Sequence, residues 1–313
     1  MGRALRFQMV EMEAVELTWR CLQGRFLLRP GPEANRRMLG VIGQAMRLFA
    51  GDVRIYFAGG TCNHIHIVAA FRSAEVKAAW ICHVRTNLSK ELGDLYNWRG
   101  CHWERRSTDI PILDEATLLD RLVYLAGQAT RAGLVRHAVE WPGVPWVQAV
   151  TAGKPLVGVW YDRTRLYRLR TAWASRPKGQ RGRRPVLADV AEPRTVQLSP
   201  PPMWAELAED EQRTRWCEVI ETAEARYPAP TRVLGPAAVL RVDPHDRPEK
   251  SKRSPAPAVH ASSRAQRLEW REAYRAFVET YRSAMKALRA GVEGCGFPPE
   301  GCRPVRMAPA PGG

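Results

Sequence analysis

Polar and apolar residues alternate over residues 14–22 (AVELTWRCL), the period of a strand with one buried face. Beyond the Pro30-Gly31-Pro32 breaker the spacing becomes helical, predicting a helix over 33–49 with Leu39, Ile42, Met46 and Leu48 inward. Two β-rich runs follow, 53–58 (VRIYFA) and 64–71 (HIHIVAAF), joined by Gly59-Gly60-Thr61-Cys62-Asn63, which has hairpin chemistry. Residues 73–92 place Val76, Trp80, Val84 and Leu88 on one helix face, and a further helix over 114–132 starts at the N-cap Asp114 and stops at Gly133. Helices interleaved with a hairpin fit an α+β sandwich better than a doubly wound sheet.

The pattern changes near residue 150. Residues 10–150 are expected to form the first domain. Residues 151–202 are expected to be a basic, partly mobile connector, with 174–202 carrying Arg176, Lys178, Arg181, Arg183, Arg184 and Pro200-Pro201-Pro202. Residues 203–313 are expected to be a helical extension, with helices over 203–226 and 262–290 and the Pro-rich stretch DPHDRPEKSKRSPAPAVH between them. The second helix has Ser262 or Ser263 as its cap and an apolar stripe of Tyr274, Phe277, Val278, Tyr281, Met285 and Leu288.

Charge narrows the partners. Lys plus Arg number 48 against 32 Asp plus Glu, a net charge of +16 that favours polyanions such as nucleic acid. No run approaches the roughly 20 apolar residues of a membrane span. Glu11, Glu13 and Glu16 interrupt the start of the chain, so no signal peptide is read there. Seven irregularly spaced cysteines argue against a disulfide framework. The expectation is a cytoplasmic, nucleoid-associated protein.

Two features suggest chemistry. His64-Ile65-His66 lies within an alternating run, so both imidazoles leave one sheet face as a natural pair of metal ligands. A pair of surface histidines is the other reading that the residues leave open. Histidine-triad chemistry needs a third histidine where Val68 stands. Tyr124 is the second feature. At about 100° per residue it lies opposite Leu118, Leu119, Leu122, Val123, Leu125 and Ala129, among Thr117, Asp120, Arg121, Gln128 and Arg131. A solvent-facing structural tyrosine and a nucleophile both fit that position. A metal on the histidines would polarise a phosphodiester, and a tyrosine could attack it and conserve the bond energy as an ester.

Asn63-His64-Ile65-His66 resembles the His-hydrophobic-His motif of the HUH single-tyrosine transposases of the insertion-sequence-200 type. Tyr124-Leu125-Ala126-Gly127-Gln128 resembles that family's tyrosine with a polar residue one turn later. GRFLLRP at 24–30, YLAGQATRAGLV at 124–135 and WPGVPW at 141–146 look like the REP-associated branch, a likeness spanning about residues 10–150. The resemblance implies a ferredoxin-like antiparallel sheet with helices on one face. It also implies Mg²⁺ or Mn²⁺, a 5′-phosphotyrosine intermediate, single-stranded or hairpin-forming DNA as partner, and often a homodimer. Carried residue by residue, His64 and His66 become metal ligands, Gln128 a third ligand and Tyr124 the nucleophile. Many relatives have Asn-Pro where this chain has Gln128-Ala129, and an aromatic where it has Ser107 after Trp103-Glu104-Arg105-Arg106.

Arg105, Arg106, Arg121 and Arg131, with the 176–184 cluster, are the expected DNA contacts. Arg267, Arg271 and Arg275 recur at four-residue spacing, but with Glu269, Glu272 and Glu279 beside them they read as a solvated helix face. Cys82-His83 and Cys101-His102 lack the Cys-x-x-Cys pairing of structural zinc. The function expected is DNA cutting and rejoining by an enzyme; the alternative is a catalytically silent binder of structured DNA or RNA.

Overall fold

The computed structural model describes residues 5–248 and 256–304. Its centre is built in the order β1 (Glu13–Arg20), α1 (Pro32–Leu48), β2 (Val53–Gly60), β3 (His64–Phe71), α2 (Ala74–Leu95) and β4 (Thr108–Ile112). The strands form one sheet in the order β2-β3-β1-β4, every neighbouring pair antiparallel. Strand β4 is absent from the sequence reading because Pro111 interrupts it. It is an outer strand, where a missing N–H is tolerated.

Strand alternation gives the sheet two different faces. Val15, Leu17, Trp19, Ile65, Ile67 and Phe71 point to one side and are all buried. There Trp80 of α2 packs its ring 6.1 Å from Trp19 and 5.5 Å from Phe71, and α1 lies beside α2. Glu16, Thr18, His64 and His66 point to the other side, as the register Thr18↔His66 requires.

That second face is covered too. Helix α3 (Glu115–Ala126) packs against β2 and β3, correcting the expectation of helices on one face only. The predicted helix 114–132 is interrupted at Gly127, after which α4 (Gln128–Arg131) begins. At the interruption only glycine fits, since a Cβ on Gly127 would lie 2.7 Å from the Tyr227 ring. Leu48 and Leu119, expected inside, are exposed.

Much of the stretch expected to be a connector is folded. Helix α5 (Trp146–Ala152) leads into β5 (Leu156–Tyr161), α6 (Arg163–Ser175) and β6 (Ala191–Val196), and β5 and β6 pair as a two-stranded sheet on α1. Gly40 of α1 and Gly158 of β5 let the two backbones touch, and a Cβ on either would overlap the opposing main chain. Helix α7 (Glu209–Arg226) joins the α3 side, with Trp216 5.1 Å from Phe57. After α8 (Pro236–Val239), α9 (Arg264–Arg289) is capped by Ser263, whose Oγ accepts from Gln266 N. Phe277 and Trp270 of α9 enclose Phe7 and Val259 in a small separate core, while Leu288 at the end of the stripe is exposed. Part of the Pro-rich stretch 243–260, and the end of the extension, lie outside the described residues.

Candidate active site

The histidine strand brings His64 and His66 together with ring centroids 5.2 Å apart. Each is oriented by a partner at Nδ1. Asn63 Oδ1 lies 2.7 Å from His64 Nδ1, and Glu16 Oε1 lies 2.6 Å from His66 Nδ1. Both oxygens are acceptors, so each Nδ1 is the donor and Nε2 is the ring nitrogen left free for a ligand. Burial, reinforced by His66, Arg20 and Arg131, pushes His64 down to about 3, which keeps it neutral at ordinary pH.

Glu16 is the hub behind the histidines. Its carboxylate is buried and accepts from Arg121 Nε at 2.7 Å and Arg121 Nη2 at 3.2 Å as well as from His66. His260, from the C-terminal extension, places Nε2 3.1 Å from Glu16 Oε2. Burial alone would raise this acid. The adjacent His260 imidazole, the His66 hydrogen bond and the Arg121 charge overcome it and hold Glu16 well below the usual carboxylate range. Sequence reasoning missed both Glu16 and His260. Glu16 was visible only as a polar residue in phase with Thr18, and His260 reaches the site through a long-range contact that no local pattern encodes.

Tyr124 lies beside this group, its ring centroid 6.2 Å from that of His66 and 6.0 Å from that of Tyr227. Its hydroxyl receives Arg131 Nη2 at 2.6 Å, and the guanidiniums of Arg121 and Arg131 sit 4.0 and 4.4 Å from its ring centre. Gln128 is buried, with its amide nitrogen 3.3 Å from His64 Nε2 and its Oε1 without a hydrogen-bond partner among the described residues. Turning the amide over would point that oxygen toward His64 Nε2. Two imidazole nitrogens and one amide oxygen are a donor set that suits Mn²⁺ more than Mg²⁺, because imidazole favours the transition ions. Among the described residues, no group of three or more His, Cys, Asp and Glu side chains has metal-binding geometry.

The other expected DNA contacts are dispersed. Arg121 is turned toward Glu16, and Arg131 toward Tyr124. Arg105 and Arg106 are exposed at the start of β4. Arg176, Lys178, Arg181, Arg183 and Arg184 lie between α6 and β6, rooted on the α1 side of the sheet and away from the histidine face. Within that cluster Arg183 pairs with Asp189 at 2.6 Å, and Arg181 lies 5.3 Å from the Trp173 ring centre. No helix among the described residues is long and apolar enough to cross a membrane.

No protein-family model matches this sequence, and no curated protein matches it. Among solved structures, the fold is similar to a REP-associated tyrosine transposase bound to a REP hairpin, at 13% identity and TM-score 0.39, over 46% of this chain and 81% of that one. It is also similar to a candidate transposase from Deinococcus radiodurans, at 11% identity and TM-score 0.29, over 41% of this chain and 98% of that one. A third similar structure is tRNA(His) guanylyltransferase from Saccharomyces cerevisiae, at 9% identity and TM-score 0.31, over 47% and 69%. At TM-scores this low the likenesses carry no argument, and the reading of the site rests on its own geometry.

Proposed function

We propose that this protein cuts and rejoins single-stranded, hairpin-forming DNA through Tyr124. The observation that carries the reading is convergence: His64, His66, Gln128 and Tyr124, from β3, α4 and α3, meet on one sheet face. The β-α-β-β-α-β order with strands β2-β3-β1-β4 supports a ferredoxin-like frame for it. In the proposed step the Tyr124 oxygen attacks phosphorus and loses its proton. The bond from phosphorus to the 3′-oxygen breaks, that oxygen leaves as a hydroxyl, and a 5′-phosphotyrosine remains. Attack by a 3′-hydroxyl reverses the step and rejoins the strand. Arg131 donates to the phenolic oxygen and stabilises the charge left there when its proton departs, before that charge passes to the phosphate. His64, His66 and Gln128 would hold Mg²⁺ or Mn²⁺, which when bound polarises the phosphate oxygen. Glu16, through His66, and Asn63, through His64, fix the rings that would ligate it.

Residues 10–150 would be the DNA-acting domain of a nucleoid-associated protein, working alone or as a homodimer. The Arg176–Arg184 cluster would add sequence-independent affinity by counterion release.

Incubation of the full chain with a labelled DNA hairpin and either Mg²⁺ or Mn²⁺ tests the proposal. The wild type is expected to form a covalent protein–DNA adduct, and Tyr124→Phe to bind the hairpin without forming one. His64→Ala should also lose cleavage, with partial recovery in excess Mn²⁺ because His66 and Gln128 remain. An adduct in Tyr124→Phe would move the nucleophile elsewhere. Binding without cleavage by the wild type would make the chain a silent binding module.

A further inference from the structure

A cleft of about 1050 Å³ opens where the loop before β4 faces α9. Among the described residues six arginines line it, Arg6, Arg85, Arg105, Arg106, Arg271 and Arg275, against the single carboxylate of Asp109. That carboxylate is already matched, by Arg6 Nη1 at 3.2 Å and Lys77 Nζ at 3.9 Å. Among the described residues no carboxylate pairs with Arg85, Arg105, Arg271 or Arg275. Arg271 and Arg275 are exposed, as expected of a solvated helix face, and they line the cleft while Glu269, Glu272 and Glu279 of α9 do not. Burial holds Arg85 below its ordinary value, and the charges of Arg6 and Arg106 add to the lowering. Trp270 in the same wall is 6% exposed, and its indole N–H has no acceptor among the described residues.

The position of the cleft names its occupant. Thr108 in its wall is the register partner of Thr18, and Thr18 Oγ1 lies 3.0 Å from His66 Nδ1. The cleft therefore runs along the β4 margin of the sheet, two strands from His66, with Thr108 on the histidine face and Asp109, in register with Leu17, on the α2 face. Its cations are arginine throughout, the side chain whose planar fork matches phosphate oxygens, and Arg271 and Arg275 are one turn apart on α9.

We propose that this cleft binds the phosphodiester backbone of a single-stranded DNA segment continuous with the strand presented to Tyr124. The inference rests on the proposed function for the identity of the strand, but its test reads binding and not cleavage. Fluorescence anisotropy would follow the full chain binding a single-stranded DNA of about 20 nucleotides across a salt series. Arg271→Ala with Arg275→Ala is expected to weaken binding about tenfold and to lower the slope of log K against log[salt] by about 1.4, the loss of two phosphate contacts. Arg282→Ala with Arg289→Ala removes the same charge from α9 outside the cleft and should change both far less. Equal effects of the two double variants would overturn the proposal, as would displacement of the DNA by polyglutamate or by RNA of the same length at lower concentration. A wild type that never forms the Tyr124 adduct, yet loses affinity in the cleft variant alone, would sink the proposed function and leave this site standing.

Discussion

Two buried carboxylates of strand β1, three residues apart, show how differently the two faces of the sheet are built. Glu13 is on the apolar face with an oxygen that has no hydrogen-bond partner among the described residues. Burial outweighs Lys77 and the Met9 backbone and pushes it up to about 7. Glu16, on the histidine face, is at least as deeply buried and is held ionised by Arg121, His66 and His260. One face tolerates a lone acid by raising its pKa; the other is organised around a charge. Buried ionic clusters are weak evidence for stability, because the desolvation of each ion offsets much of the attraction. A cluster aligned on two imidazoles is better explained by the orientation it gives them.

The comparison can be broken in order of effect. Trp80→Ala on the apolar side should cost about 3–5 kcal/mol of stability in denaturant titrations while leaving activity per folded molecule unchanged. A loss of activity in the surviving folded fraction would show that the faces are not separable. Glu16→Gln keeps the shape and removes the charge. It should lower stability by about 1.5–3 kcal/mol, and weaken Mn²⁺ binding about 10–100-fold by calorimetry. Unchanged metal affinity would reduce Glu16 to a structural ion.

The smallest expected effect is in the pH profile. His64 is pushed down to about 3 and His102 to about 4, each chiefly by burial. The unfolded chain binds protons on both below 6.5 and the folded chain does not, so their stabilisation is full above 6.5 and is lost as pH falls. Glu13 acts oppositely, stabilising below 4.5 and losing that contribution as pH rises through about 7. Between 4.5 and 6.5 two imidazoles oppose one carboxyl, so stability should rise with pH by about 1.4 kcal/mol per unit. Below 4.5 Glu13 no longer opposes, Glu16 begins to lose its ionic partners' contribution, and the slope should steepen. A flat profile from pH 4.5 to 6.5 would mean that these rings are not held neutral.

Local periodicity was enough to read β3 and α2, and to set Tyr124 on the polar side of its helix, because each depends on neighbours in sequence. What it missed depends on distant contacts. Strands β4 and β6 carry Pro111 and Pro193, which read as breakers, and both are tolerated at sheet margins. Gly127, at the break just before Gln128, lies against Tyr227, a hundred residues on, a contact that no local pattern signals. Gly40, Gly43 and Gly158 are long-range features of the same kind. They are seams where the hairpin of β5 and β6 lies against α1. The site was legible as far as its histidines and tyrosine. Its organising carboxylate was not, because an acid in a strand gives no sign of what will be packed over it.

Outer strands ordinarily template the addition of another chain. Here each margin of the sheet is partly occupied by the protein's own backbone. At β4, the Pro111 carbonyl receives His260 N–H at 2.8 Å and Leu113 N–H is taken by the His260 carbonyl at 3.0 Å. At β2, the Ile55 carbonyl receives Ser199 N–H at 2.8 Å. Two copies of the chain therefore have little free edge along which to continue one sheet into the next. The same backbone contacts oppose ribbon-like pairing at those positions of the four-stranded sheet.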